Sequence, residues 1–188
     1  MTIRLITADD LCTSAAATAA AQLPALIEAR GLDDPDGTKP FKMPTTWAQI
    51  PVLEALQSAT FPAAAVTTTG IVGEPRDSRD GIHADWLVRV GIFDRGTDYN
   101  DTAFRVREWA ALVRAALLHD RTLGGLATGL KLVEETYRNL PQVGAARTLG
   151  GCSVGVRVRV KNIADLGELE PGPAVESTHN EVFVRPYT

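Results

Sequence analysis

Two cysteines, Cys12 and Cys152, are all that the 188 residues contain. They stand far apart, one in a helix-patterned and one in a strand-patterned stretch, so no disulfide framework is indicated. Neither has a second Cys or a His at metal-ligand spacing, and both read as small buried apolar residues of a chain in a reducing compartment. A run of about 20 apolar residues, the length a membrane span needs, is also missing. The opening MTIRLITADDL lacks the apolar core of a signal peptide and is broken early by acidic residues, so a chain that is cytoplasmic when made is expected. There is no basic excess either. The formal net charge is -4, and any attraction to nucleic acid or anionic lipid has to come from a local patch.

Clusters of reactive residues at mechanistic spacing are absent as well. The three histidines, His83, His119 and His179, fall at a hairpin base, a helix end and the C-terminal stretch. His119 is explained as a helix C-terminal cation. Ser14, Ser58, Ser78, Ser153 and Ser177 include no GxSxG elbow. Asp77, Asp80 and Asp85 alternate with Arg76, Arg79 and Arg89, the pattern of a self-neutralising solvated loop rather than a metal cage. The glycines of TLGGLATGLKL lack the Walker spacing and follow a helix where a strand is required. Of Trp47, Trp86 and Trp109, two lie on apolar faces, and packing accounts for them better than base stacking. No catalytic, cofactor-binding or metal residue is assigned, and the chain is read as a non-enzyme.

What is present is ordinary globular composition, 45% hydrophobic and 22% charged, enough for one folded domain with an appended arm. Thr7 to Gly31 predicts a helix capped at Thr7 and stopped by the glycine, bent or split at Pro24 and peripheral because it is rich in alanine. A Pro/Gly/Asp-dense turn region runs to Thr46, and a short helix is expected around Trp47 to Gln57. Val66 to Val72 predicts a first core strand between Pro62 and Pro75, and HADWLVRVGIF a second, with Ala84, Trp86, Val88, Val90 and Ile92 on one face and Asp85 and Arg89 on the other. NDTAFRVREWAALVRAALLHD predicts the strongest helix. Asn100 or Asp101 is its expected cap, Val106, Trp109, Ala110, Val113, Ala116 and Leu117 form its stripe, and Arg105, Glu108 and Arg114 fall away from that stripe. LKLVEETYR and CSVGVRVRVK close the set of strands.

The order implies an α+β fold: a mainly antiparallel four-stranded sheet covered by one long amphipathic helix, with a helical N-terminal extension and an extended C-terminal arm. The expected organisation is 1–60 for the extension and its Pro/Gly-rich connection, 61–162 for the core domain and 163–188 for the arm. In CSVGVRVRVK the alternation places Cys152, Val154, Val156, Val158 and Val160 against the helix, and Arg157, Arg159 and Lys161 on the opposite, uncovered face.

The layout from Phe61 to Lys161, AVTTTGIVGE, a charged tip, WLVRVGIFDRG, NDTAFRVREWAALVRAALL, LKLVEETYR and CSVGVRVRVK, resembles the tail terminator proteins of long-tailed bacteriophages, the siphovirus-type tails among them. The match is one of arrangement and carries no residue signature. It implies a structural virion protein of the tail or neck, assembled in the host cytoplasm as a ring, usually hexameric, at the head-proximal end of the tail tube. Such a ring ends tube growth and joins the tail to the head connector, with genomic DNA passing its lumen without sequence-specific binding and no membrane involved. The expected partners are other copies of the chain, the tail tube protein and the head–tail connector. Candidate interface residues are the tip, Glu74, Arg76, Asp77, Arg79 and Asp80, expected to stay flexible until a partner orders it; the strand cations Arg157, Arg159 and Lys161; and Val182, Phe183, Val184 and Tyr187 of the arm. The alternatives are another head–tail joining protein, or a small cytoplasmic ligand-binding or enzymatic α+β domain.

Overall fold

Two long neighbouring strands organise the molecule, whose computed structural model describes residues 4–33, 40–49, 60–79, 81–140 and 148–165. Among the described residues, strands β1 (Arg4–Leu5), β2 (Trp47–Ala48), β3 (Ala63–Ile71), β4 (Arg76–Ser78), β5 (Gly81–Arg95), β6 (Gly129–Leu140), β7 (Leu149–Val160) and β8 (Ala164–Asp165) occur with helices α1 (Ala8–Ala29) and α2 (Tyr99–His119). β3, β5, β7 and β6 form the expected antiparallel core of a mixed α+β fold, and β2 at the edge beside β3, together with β4 on β5, makes the sheet six-stranded instead of four-stranded. β5 and β7 pair without interruption from Ala84↔Val160 to Arg95↔Leu149. β1 and β8 form a separate two-stranded pair.

The strict alternation of β7 seals one face of the sheet: Cys152, Val154, Val156, Val158 and Val160 are buried with Ala84, Val88, Val90 and Ile92 of β5. This face is covered by both helices. α1 is therefore no peripheral extension, since Leu11, Ala15, Ala19 and Leu23 are fully buried in the same core cluster as Trp109 and Val113 of α2. Its alanines let it approach closely, and Leu23 and Ile27 anchor its second half on either side of Pro24. Burial of two such side chains, about 1.5–3 kcal/mol each, offsets the cost of a helix-interior proline, and the helix runs unbroken. Thr7 caps it as expected, in a reciprocal box in which its hydroxyl accepts from Asp10 N–H and the Asp10 carboxylate accepts from Thr7 N–H at 2.7 Å.

Other expectations need correction. Trp47 and Ala48 form a strand parallel to β3, not a helix start, and 50–57 lie outside the described residues. The turn region before them contributes Phe41, 6% exposed, whose ring lies 5.0 Å from that of Trp109. Asp98 caps α2, while Asn100 and Asp101 lie in the first turn. Arg105, expected to point outward, is 1% exposed. α2 packs against the sheet on one side and α1 on another, so its buried arc is wider than one stripe and includes position 105. There the guanidinium meets Asp94 Oδ2 at 2.9 Å and Asp101 Oδ1 at 3.3 Å, and lies 4.6 Å from the Phe41 ring centre. Asp94, also 1% exposed, accepts from the Trp109 indole N–H at 3.0 Å as well. No helix of the described residues is long and apolar enough to cross a membrane.

Candidate functional site

The sheet face opposite the helices is where the predicted strand cations emerge, and it changes character along its length. At one end Phe61, Ala65, Phe93 and Leu149 form a small apolar cluster, with the Arg95 guanidinium 4.4 Å above the Phe61 ring centre. Gly151 is opposite Phe93 in the ladder, and the ring lies over its backbone: a Cβ there would meet Phe93 Cδ1 and Cε1 at 2.6 Å. In the middle, Gly155 faces Arg89 on one neighbouring strand and Glu134 on the other. These two side chains form an ion pair across the glycine, which leaves room because a Cβ would meet Glu134 Cγ at 2.5 Å. The alternation of charges in the sequence matches Arg89 to nearby carboxylates of the loop. Its partner instead comes from β6.

Toward the β4–β5 end the face becomes cationic. Arg159 lies opposite Asp85 and pairs with it, Nε to Oδ1 at 3.0 Å, and the carboxylate holds the guanidinium proton more tightly than usual. Arg157 has no such neighbour. Its ladder partners are Leu87 on β5 and Lys131 on β6. Two cations directly opposite one another destabilise a sheet, by roughly the 0.2–1 kcal/mol that an opposite-charge pair contributes. Among the described residues Arg76, Lys131, Arg157 and Lys161 make no ion pair.

Two open clefts flank this row. One, of about 350 Å³, lies between the β4–β5 ribbon and the end of β7 and is lined by Glu74, Arg76, Asp85, Arg157, Arg159 and Lys161. The other, of about 340 Å³, lies toward β6, with Asp85, Lys131, Arg157 and Arg159 in its wall. The fold thus brings Glu74 and Arg76 of the predicted tip together with Arg157, Arg159 and Lys161. Asp77 and Arg79 are exposed on the ribbon and line neither cleft. The tip is not a plain loop, because Arg76–Ser78 pairs back on Gly81–His83 as a short ribbon. Asp80 and the arm residues Val182, Phe183, Val184 and Tyr187 lie outside the described residues. Lys131 was missed. Its neighbour Arg157 is set by strand register, and a register shift between Leu132 and Glu134 hides that pairing from the sequence.

The glycine-rich turn after α2 is occupied by its own chain. The Asp120 carboxylate accepts from the Thr122 hydroxyl at 2.6 Å, Gly124 N–H at 2.7 Å and Thr122 N–H at 2.9 Å, bonds that lower its pKa in that order, and the amides a phosphate would use are taken. Burial raises the Cys12 thiol pKa and pushes that of Cys152 up to about 12. Among the described residues no three of His, Cys, Asp and Glu gather as a metal site would require.

No protein-family model and no curated protein matches the chain. Among solved structures the chain is similar to one from the virion of a native gene transfer agent particle, at 12% identity and a TM-score of 0.37, over 78% of this chain and 93% of that one.

Proposed function

We propose that the chain is a structural subunit of a phage-like tail, a tail terminator that closes into a ring at the head-proximal end of the tail tube, stops tube growth and presents a surface to the head connector. The observation that carries this reading is the sheet. One face is sealed by α1 and α2, and the other is left broad and open with charged residues in register. A lone subunit leaves that face to water; a ring gives it a neighbour or a lumen. In this reading the subunit acts by binding without turnover. Several modest contacts per subunit multiply around a closed ring, the β4–β5 ribbon touches the tube, the arm beyond residue 165 docks on a neighbour, and DNA passes without base-specific contact.

Light scattering of the purified chain, followed by electron microscopy with and without isolated tail tubes, tests the proposal. A hollow ring of about six copies that caps tubes is the expected result. A ring that binds head connectors but leaves tubes uncapped assigns the chain to another position in the neck. A compact monomer that ignores tubes refutes the assembly role and returns weight to a ligand-binding or enzymatic domain.

A further inference from the structure

The cations that line the two clefts are more numerous than the carboxylates beside them. Arg76, Lys131, Arg157, Arg159 and Lys161 face only Glu74 and Asp85, and Lys131 and Arg157 are set directly opposite each other. The fold bears this repulsion although the same sheet neutralises Arg89 and Arg159 with carboxylates on adjacent strands. An anion supplied from outside the described residues would turn the repulsion into attraction. The chain itself carries one of fitting charge. Residues 166–188 hold four glutamates, Glu168, Glu170, Glu176 and Glu181, against one arginine, Arg185.

Where that stretch starts favours an adjacent copy over its own subunit. Ile163 packs on the helix-side core and its N–H bonds to Ile82 O at 2.9 Å, and Ala164–Asp165 pairs with Arg4–Leu5 ahead of α1. The chain therefore leaves on the covered side of the sheet, away from its own cationic face, with 23 residues that reach at most about 83 Å when extended. We infer that the Lys131–Arg157–Lys161 row is the seat for the acidic stretch 166–181 of an adjacent copy. This inference rests on the ring reading and names the partner of the open face. Glu74 and Asp85 among the cations would repel the continuous charge of a DNA backbone, whereas the spaced carboxylates Glu168, Glu170, Glu176 and Glu181 can meet the cations between them.

The test is a charge swap in the full-length chain, read by sedimentation and light scattering across concentration and salt. Lys131→Glu together with Arg157→Glu keeps a like-charge pair in the ladder, so folding is matched to the parent, and association should weaken at least tenfold. Adding Glu168→Lys and Glu170→Lys should restore it. Lys131→Glu alone supplies a second readout that a purely structural role would not give. It creates an in-register pair with Arg157, so the melting temperature should rise while association falls.

Rings that persist unchanged in the double reversal overturn the seat and leave the ring reading intact. Failure of the swap to rescue overturns it too, as does a swap that acts only on the stability of a concentration-independent monomer. If the parent chain is monomeric at every concentration, the ring reading and the seat fall together. Salt-dependent retention of a 30-base-pair duplex, lost in the double reversal while the rings remain, assigns the face to nucleic acid and overturns the peptide seat.

Discussion

Replacing Asp94 by alanine tests the joint that holds the helices on the sheet. The carboxylate sits at the end of β5, 1% exposed, and receives Arg105 Nη1 at 2.9 Å, Trp109 Nε1 at 3.0 Å and the Arg95 backbone N–H at 2.8 Å. Alanine removes the acceptor of all three donors. Arg105 keeps Asp101 at 3.3 Å, the Phe41 ring and its remaining contacts, while the Trp109 indole N–H loses its acceptor inside the core. Removing one partner of a buried ion pair costs about 3–5 kcal/mol. For a chain of this length each kcal/mol lowers the melting temperature by about 2–4 °C, so a fall of roughly 6–20 °C is expected. Urea denaturation should show a lower midpoint with an unchanged slope, and calorimetry should give the same loss. Asp94→Asn keeps an acceptor for Trp109 and should fall in between. Arg105→Met added to Asp94→Ala should cost less than the two changes separately, because no charge is then left buried without its partner. A loss below about 1 kcal/mol for Asp94→Ala would refute the reasoning.

Three further outcomes follow from local geometry. Asp10 and Asp120 have pKa values lowered from 3.8 by hydrogen bonds from Thr7 and from Thr122 and Gly124. Their stabilisation is complete above that value and is lost as pH falls through the depressed folded values, so Thr7→Ala and Asp120→Asn should each flatten the loss of stability below about pH 4; an unchanged acid slope refutes it. Gly151→Ala should cost about 1–3 kcal/mol, since the Phe93 ring cannot move without disturbing Ala65 and Leu149, whereas Gly155→Ala displaces only a Glu134 side chain and should cost less; equal costs by urea denaturation would contradict this. The Cys152 thiol should react with a disulfide reagent at pH 8 only on unfolding, because it is buried with a pKa pushed up to about 12, whereas Cys12, at the wall of an open cleft, should be slowed less; fast reaction of Cys152 in the native protein overturns it.

Features that depend on one element's own period were legible in the sequence, and features that depend on a neighbour were not. The alternation of β7 gave both its buried valines and its outward cations, because a strand half covered by helices needs nothing beyond period two. The stripe of α2 was read at the width that one neighbour requires. With α1 as a second neighbour, Thr102, Arg105 and Leu112 also become interior, and a charged residue in that arc is intelligible only once Asp94 and Asp101 are seen beside it. In the sequence, the alanines of α1 suggest weak burial. In a two-helix layer they allow the close approach that buries Ala15 and Ala19 completely.

The open face carries an internal control for its own interpretation. Over a few residues of β7, the ladder answers three outward positions in three ways: an aromatic ring over Gly151, an ion pair across Gly155, and two adjacent cations at Arg157 and Lys131. All three lie on the same outward face of β7 and pair with β5 and β6, although Gly151 and Gly155 are buried, Arg157 is exposed, and the β6 register shifts beside Gly155. Neutralisation was available to the scaffold two residues to either side of Arg157, in Glu134 and Asp85. Bare charge at that position is therefore a property of this sequence, imposed against the local cost of like charges in register. On the reading proposed above, that cost is offset when the acidic stretch of an adjacent copy meets these cations. Restoring neutrality at that one rung by Lys131→Glu separates the two roles: the rung's contribution to folding should improve while its contribution to assembly is lost.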